Sequence, residues 1–320
     1  MDFEDSAEEA AFRAEVREFL GAHATPKAGD ESDWSRNGAS VDPVVADDYR
    51  RRCREWQRTL YDNGWAGIAW PKAFGGRGGN AAQQIIFNQE LAKFDATSGF
   101  LTAALALVGP TLMAHGTPEQ QQRYLAPLLS GEEAWCQLFS EPEAGSDLAT
   151  LGTRAVLDGD EWVVNGQKVW NSSAQHADFG ILICRTDPSV PKHNGITYFI
   201  VDMRTPGIEV RPLRQMTGGA GFNEVFFTDA RVPAENLVGP LNGGWGVANG
   251  SLGHERTLLW MLFADRLDQL IADYRPATVL ERDQYATLLM DAAALRLLGS
   301  AAIAREARGE QDTQSLSVLK

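Results

Sequence analysis

Cysteine is scarce in this chain of 320 residues, in which only Cys53, Cys136 and Cys184 occur. Their number is odd and no pair has C-x-x-C spacing, so the sequence argues against a disulfide scaffold and is typical of a protein kept in a reducing compartment. We expect the three cysteines to be small hydrophobic residues of the core. The five histidines lack the spacing of metal ligands, and the sequence therefore predicts no metal site.

Long hydrophobic runs and basic charge are also missing. No run of about 18 apolar residues occurs, and the acidic start MDFEDSAEEAAF lacks the basic charge of a targeting signal. With Asp+Glu 43 against Lys+Arg 29, the formal net charge is -14. This excess of negative charge argues against binding to nucleic acid or to anionic membranes over broad surfaces. We expect a soluble, cytoplasmic protein that holds any nucleotide-like ligand at a local site.

The first part of the chain has the apolar periodicity of amphipathic helices. One of these helices begins after Thr117, where Pro118 follows and Gln120 completes a capping box. The pattern predicts an α-helical domain over residues 1–130. The other predicted helices run over Asp5–Leu20, Pro43–Asn63, Ala81–Phe94 and Thr97–His115.

Short runs rich in Val, Ile, Phe, Trp and Thr follow, separated by turn sequences such as DGDE and RTPG. This spacing favours antiparallel hairpins in a small β-sandwich or barrel over residues 131–237. The helical period then returns and predicts a C-terminal helical domain over residues 238–320, so the expected fold class is α+β. The predicted strands are Trp162–Trp170, Phe179–Arg185, Gly195–Val201, Ile208–Leu213 and Asn223–Phe227, and the predicted helices are Trp245–Tyr274 and Glu281–Arg308.

Several sequence blocks, in this order, resemble the acyl-CoA dehydrogenase family. They are GWAGIAWPKAFGG, FSEPEAGSDLAT, NGQKVWNSSA, FNEVFFTDARVPAENLVG and GGWGVANGSLGHERTLL, and together they span nearly the whole chain. The resemblance implies noncovalently bound FAD and oxidation of an acyl-CoA thioester to the trans-2-enoyl-CoA, as in fatty-acid, branched-acid or steroid side-chain catabolism. In that chemistry a carboxylate removes the α-proton, the β-hydrogen leaves as hydride to flavin N5, and an electron-transfer flavoprotein accepts the electrons.

The resemblance also implies roles for five residues in binding the flavin. It places Phe139 and Ser140 against the pyrimidine ring, Ser146 at the pyrophosphate, and Trp170 beside the isoalloxazine. The hydroxyl of Ser172 matches the group that hydrogen-bonds to N5, where the family more often has threonine. From the residues alone, the tryptophan can equally fill the core of the sheet, and the serines can be turn or strand-end hydroxyls.

Glu255 is the best candidate for the catalytic base, because a carboxylate becomes a competent base near neutral pH when an apolar surrounding raises its pKa. Apolar residues share its helix face at Ala248, Leu252, Leu258, Leu259 and Leu262. The alternative is that Glu255 pairs with an arginine at a helix interface. In the isovaleryl and long-chain branches that the chain resembles, the base lies in this helix just before an arginine. The resemblance thus implies that Arg256 lies near the CoA substrate.

The sequence departs from the family in two places. The R-x-x-F-G motif, with which many members hold FAD across a dimer, is absent from LIADYRPATVLERDQYA, and the family's last helices are missing after Lys320. We therefore expect a homodimer or tetramer, or a hetero-oligomer with a related subunit, that covers the incomplete helical bundle. Two alternatives to the dehydrogenase are an acyl-CoA oxidase-type flavoenzyme and a catalytically silent partner subunit.

Overall fold

A computed structural model of the chain describes residues 5–27, 43–102, 104–216 and 218–306. In these residues the helices are Ala7–His23 (α1), Pro43–Asp62 (α2), Ala81–Leu91 (α3), Gly109–His115 (α4), Pro118–Ser130 (α5), Gly244–Asp273 (α6) and Val279–Glu306 (α7). The strands are Trp135–Leu138 (β1), Arg154–Asp158 (β2), Glu161–Lys168 (β3), Phe179–Arg185 (β4), Ile196–Asp202 (β5), Ile208–Leu213 (β6), Phe222–Pro233 (β7) and Leu237–Val238 (β8). The predicted α+β class, with helices before and after a β region, is confirmed.

The starts of three N-terminal helices are set by capping boxes. Thr117 accepts from the amide of Gln120, and the Gln120 side chain returns the bond to the Thr117 amide, as the sequence predicts. Ser6 begins α1 and Asn80 begins α3 in the same way. Each box satisfies two amide groups that the first turn of a helix would otherwise leave unpaired.

The segment predicted as one helix from Thr97 to His115 is divided into shorter pieces. A 3-10 turn covers Gly99–Leu101, and a π turn, Ala104–Val108, leads into α4. Gly99 adopts φ 48, a conformation that strains other residues. Pro110, in the first turn of α4, has no amide hydrogen to donate and crowds the carbonyl one turn earlier. Apolar periodicity alone does not reveal these interruptions.

The β region is one eight-stranded sheet in the order β6-β7-β3-β2-β4-β5-β8, with β1 paired to β4. The predicted hairpin of β2 and β3 is present, and its two-residue loop begins with Gly159 at φ 67. Most pairs are antiparallel, but β1 and β2 each run parallel to β4. Trp162 of β3 contacts Phe199 of β5 with ring centroids 5.5 Å apart, although these strands are not neighbours in the sheet. The sheet therefore curls around an inner apolar cluster.

Strands β4 and β5 are buried on both faces. Residues of one parity, such as Leu182 and Phe199, join the inner cluster of the curled sheet. Residues of the other parity, such as Ile181 and Ile200, pack with α4, α5 and α6 in a second cluster. The helices on both sides of the β region in the sequence thus share one core with the sheet.

All three cysteines are buried and free, which confirms the prediction that they are core residues. Burial raises the pKa of the Cys136 and Cys184 thiols to about 12, so both remain protonated and unreactive at neutral pH.

Over the described part of the chain, no helix has the length and apolarity needed to cross a bilayer.

A buried carboxylate links α1 to α3. Glu90 is 2% exposed, and its oxygens lie 3.0 Å from Arg13 Nη1, 3.0 Å from Arg17 Nη2 and 2.6 Å from Lys93 Nζ. Burial alone raises the pKa of Glu90, but the hydrogen bonds from Arg17, Lys93 and Arg13 outweigh it and lower the pKa to about 2. Because ionised Glu90 is favoured in the folded state, it stabilises the helical domain above the unfolded pKa of about 4.3.

Replacing Glu90 with Gln is expected to lower the free energy of unfolding at pH 7 by about 2 kcal/mol, since three cations lose their shared carboxylate. The difference from the wild type should shrink as the pH falls from about 5 to about 2, where the wild-type carboxylate becomes protonated. Urea unfolding at several pH values measures both effects. The Glu18→Gln variant, which changes an exposed carboxylate of α1, is the control. If the difference in free energy of unfolding between the Glu90 variant and the wild type does not change with pH, the stabilising role assigned to ionised Glu90 is contradicted.

Candidate functional site

Two chain segments meet where β1 and β3 leave the sheet. We name Gln137–Glu141 the first segment and Lys168–Ser172 the second segment. The amide of Val169 donates to the Ser140 carbonyl at 2.9 Å, and the Asn171 side-chain amide donates to the Gln137 carbonyl at 2.8 Å. The structure therefore brings together four of the five residues to which the sequence assigns the flavin, namely Phe139, Ser140, Trp170 and Ser172.

Trp170 points away from the core. Its neighbours Val169 and Asn171 are buried, whereas Trp170 itself is 63% exposed. Its backbone has φ 63, an uncommon conformation for a residue with a side chain and one that tends to occur at functional sites. The ring has an edge contact with Phe222 at 6.1 Å between centroids. The alternative that Trp170 fills the core of the sheet is wrong.

The three serine hydroxyls assigned to the flavin have no hydrogen-bond partner within the described part of the chain. Ser140 is half-buried, and Ser146 and Ser172 are exposed. Among the residues that the structure describes, none of these hydroxyls forms a hydrogen bond, so the alternative of turn-stabilising hydroxyls has no support here. Ser146 lies in the turn after the Glu141–Ala144 bridge, with no hydrogen bond to the second segment.

The sequence interpretation missed a buried ion pair behind these residues. Lys168 is 0% exposed, and its Nζ donates to the Phe139 carbonyl at 3.0 Å and to Glu141 Oε1 at 2.7 Å. Glu141 also accepts from the amides of Gly152 at 2.6 Å and Thr153 at 3.0 Å. The sequence contains a signal for the burial of Lys168. Lys168 lies an even number of residues after Trp162 in the same strand, so both side chains lie on the face that packs in the inner cluster.

Burial and pairing act in opposite directions on the two charges. Burial raises the pKa of Glu141, but the Lys168 charge and the hydrogen bonds from Lys168, Thr153 and Gly152 outweigh it, so the pKa of this carboxyl is lowered. Burial lowers the pKa of Lys168, and the charge of Glu141 works against this effect. The short N–O distance of 2.7 Å is typical of a charge-assisted hydrogen bond. We therefore treat Glu141 as ionised.

Helix α6 passes beside the first segment. The Phe139 ring meets the Tyr198 ring edge-on, with centroids 5.8 Å apart. The Tyr198 hydroxyl lies 3.4 Å from the Ser251 hydroxyl, which in turn lies 2.6 Å from the Thr111 hydroxyl of α4. All three hydroxyl-bearing residues are buried. A polar contact thus joins β5, α4 and α6 within the second apolar cluster.

Glu255 lies in α6 one turn after Ser251. Its side chain and that of Arg256 are outside the described residues, so the roles assigned to them remain predictions. The Ser251 hydroxyl contacts Tyr198, whose ring contacts Phe139, so the helix that carries the candidate base is linked to the first segment through Tyr198.

The exposed surface of the two segments suits a flavin. An aromatic ring free on one side offers stacking area, and the unpaired hydroxyls of Ser140 and Ser172 offer hydrogen bonds to ring heteroatoms.

Within the described residues, no group of three or more His, Cys, Asp or Glu side chains can hold a metal ion.

The chain matches the N-terminal domain of acyl-CoA dehydrogenases over residues 6–132 and their middle domain over residues 136–230. Acyl-CoA dehydrogenase FadE34 of Mycobacterium tuberculosis is 44% identical over 252 residues, which are 77% of this chain and 34% of the relative. Acyl-CoA dehydrogenase IpdE1 of the same organism is 45% identical over 203 residues, or 63% of this chain and 53% of the relative. The alignments thus cover about a third and about half of these two relatives.

Solved structures with the same fold include one described as the Tcur3481-Tcur3483 steroid ACAD. It has a TM-score of 0.83 and 33% identity, and the match covers 100% of this chain and 82% of that chain. An acyl-CoA dehydrogenase from Geobacillus kaustophilus has a TM-score of 0.80 and 28% identity, with 100% and 84% of the two chains covered. From its sequence blocks, its domain order and these matches, the chain belongs to the acyl-CoA dehydrogenase family.

Proposed function

We propose that this chain binds FAD and oxidises an acyl-CoA thioester to the trans-2-enoyl-CoA. The observation that carries the proposal is the exposed Trp170, held at a positive φ beside unpaired serine hydroxyls on two hydrogen-bonded segments. Leaving a tryptophan ring in water forgoes the free energy of its burial, so a ligand that covers the ring accounts for its exposure. When bound there, FAD supplies a hydride acceptor for the β-hydrogen of the substrate.

The residues of the two segments have separate tasks in this proposal. The Trp170 ring packs beside the isoalloxazine, and the Ser172 hydroxyl hydrogen-bonds to N5. Backbone amides near Phe139 and the Ser140 hydroxyl stabilise negative charge on the pyrimidine side of the reduced ring. Ser146, in its exposed turn of small residues, contacts the pyrophosphate.

Glu255 is the proposed base. Its carboxylate takes the α-proton of the thioester and holds it while the β-hydrogen leaves on the opposite side of the substrate. The apolar residues that share its helix face in the sequence are proposed to exclude water and to favour the neutral carboxylic acid that results. Arg256, the next residue, is proposed to bind the CoA portion of the substrate.

Replacing Trp170 with Ala is expected to weaken FAD binding at least tenfold, because about 1.4 kcal/mol of ring contact is lost. The thermal unfolding midpoint of the apoprotein should stay near that of the wild type, since the ring is exposed. Titration of apoprotein with FAD, followed by tryptophan fluorescence or calorimetry, gives the dissociation constant. Leu157→Ala, which removes another exposed apolar side chain of the same sheet, is the control. Equal FAD affinity in the Trp170 variant and the wild type contradicts the proposed flavin position.

Replacing Glu255 with Gln should leave FAD bound and slow its anaerobic reduction by acyl-CoA by a factor of about 100 or more, because the amide cannot accept the α-proton. Stopped-flow absorbance at the flavin bands measures the rate. Asp291→Asn, which neutralises an exposed carboxylate of α7, is expected to reduce at the wild-type rate. If acyl-CoA reduces the flavin of the Glu255 variant at the wild-type rate, another residue is the base.

Branched or bulky acyl groups are the proposed substrates. A base carried by α6 matches the isovaleryl and long-chain branches, and the structurally similar Tcur3481-Tcur3483 protein is described as a steroid ACAD. In a panel of acyl-CoAs, we expect flavin bleaching to be faster with a branched or steroid side-chain thioester than with butyryl-CoA. Fastest bleaching by butyryl-CoA contradicts this preference.

The proposed electron acceptor is an electron-transfer flavoprotein, and the proposed assembly is a homo-oligomer or a hetero-oligomer. Helix α7 exposes apolar side chains, among them Val279 at 82%, Leu280 at 68% and Met290 at 65%, which a second subunit can cover. A solved chain of the ChsE4-ChsE5 complex of Mycobacterium tuberculosis is 29% identical to this chain, with a TM-score of 0.76.

The absence of the R-x-x-F-G motif from LIADYRPATVLERDQYA favours a second candidate function, in which this chain is a catalytically silent partner of a related subunit. The absorbance spectrum of the purified protein separates the two candidates, since flavin bands are expected only for the FAD-binding chain.

An oxidase-type enzyme is distinguished by stoichiometric peroxide during turnover in air, which a dehydrogenase does not produce.

A further inference from the structure

The buried ion pair lies between the two segments of the proposed flavin site. It lies where the two strands end, because β1 stops at Leu138 and β3 stops at Lys168. Four hydrogen bonds join the segments there: Asn171 Nδ2 to the Gln137 carbonyl at 2.8 Å, Val169 N to the Ser140 carbonyl at 2.9 Å, and Lys168 Nζ to the Phe139 carbonyl at 3.0 Å and to Glu141 Oε1 at 2.7 Å.

Removing an ammonium group completely from water is costly, and a well-packed apolar pair often stabilises a protein as much as a buried ion pair does. The sheet itself does not require Lys168 and Glu141, because the strands on each side have their own ladder partners. The side-chain contacts of the pair instead fix two loop backbones. Lys168 holds the Phe139 carbonyl, and Glu141 holds the Gly152 and Thr153 amides.

We propose that Lys168 and Glu141 are positioning residues for the flavin. The pair fixes the first segment relative to the second, so that the backbone at Phe139 and the Ser140 hydroxyl on one side and Trp170 and Ser172 on the other face the same ring. This inference rests on the proposed function, since it gives a role to residues that touch no ligand themselves. Lys168 lies two positions before Trp170, and the Phe139 carbonyl it binds directly precedes Ser140, so a shift of the ammonium displaces both sides of the site.

The pair can be removed without leaving a buried charge. In Lys168→Met the unbranched side chain is one atom shorter and loses its donors, and in Glu141→Gln the one remaining oxygen can accept from the Gly152 amide or the Thr153 amide, which donate to different carboxylate oxygens in the wild type. Each single variant leaves one charge unpaired in the interior and is expected to be strongly destabilised. The double variant has neither charge and is expected to fold, but the Phe139 carbonyl has lost its donor.

The experiment compares the double variant with the wild type in two measurements. Titration of the apoproteins with FAD is expected to show at least tenfold weaker binding by the double variant. Hydrogen exchange of the apoproteins, followed by mass spectrometry, should be faster in peptides that cover residues 137–141 and 168–173 of the double variant. Circular dichroism and the thermal unfolding midpoint establish that the double variant is folded.

Val232→Ala is the control for a merely structural role. Val232 is 1% exposed in the inner cluster of the same sheet, so its truncation destabilises the domain without touching either segment. We expect this variant to have a lower unfolding midpoint, unchanged exchange in the two peptides, and FAD affinity within twofold of the wild type.

The inference is overturned if the folded double variant binds FAD within twofold of the wild type and exchanges at the wild-type rate. It is also overturned if Val232→Ala weakens FAD binding as much as the double variant does, because lost stability then accounts for the effect. If the wild type itself binds no FAD, the proposed function and the flavin role of the pair are both wrong. The first two results leave the proposed function intact, so the two failures are distinguishable.

Discussion

Strands β4 and β5 are apolar on both faces, and the need to cover both faces organises the molecule. On one face the sheet curls until β3 and β7 close over residues such as Leu182 and Phe199. On the other face, α4, α5 and α6 pack against residues such as Ile181. The hydrophobic effect thus brings together helices from distant parts of the sequence. It also places α6, which carries the candidate base, against the β region that carries the candidate flavin site.

Polar residues inside this core lie near the site. Lys168 and Glu141 pair between the two segments, and the hydroxyls of Tyr198, Ser251 and Thr111 meet where β5, α4 and α6 join. Burial of a polar group is costly unless a partner is present, so each of these groups fixes the geometry of its neighbours more closely than an apolar contact does. The candidate site is therefore supported by directional contacts in addition to apolar packing.

The sequence predicts the elements of this fold better than their interruptions. Periodicity identifies the helical regions and the hairpins, and the Thr117 capping box identifies the start of α5. The division of the segment before α4 depends on Gly99 and Pro110, whose local effects periodicity does not register. The parallel pairing of β1 is a tertiary property that no local pattern contains. For the site, sequence blocks pointed to Trp170 and its neighbours. The alternation of β3 places Lys168 on the same face as Trp162, but the pairing of Lys168 with Glu141 emerges only when the strands are assembled.

The residues proposed to bind the flavin and the proposed base are far apart in the sequence, and tertiary contacts link the elements that carry them. The Phe139 ring meets Tyr198, and the Tyr198 hydroxyl reaches Ser251, one turn before Glu255. In the proposed reaction, hydride and proton leave adjacent carbons of one substrate, so efficient transfer requires a distance between acceptor and base that is constant to within a fraction of an ångström. A buried aromatic contact followed by a buried hydroxyl pair is a short and stiff way to set that distance. The pattern of α6 alone is enough to propose Glu255 as the base. Whether its carboxylate can reach the substrate depends on how α6 packs against β5, which these contacts determine.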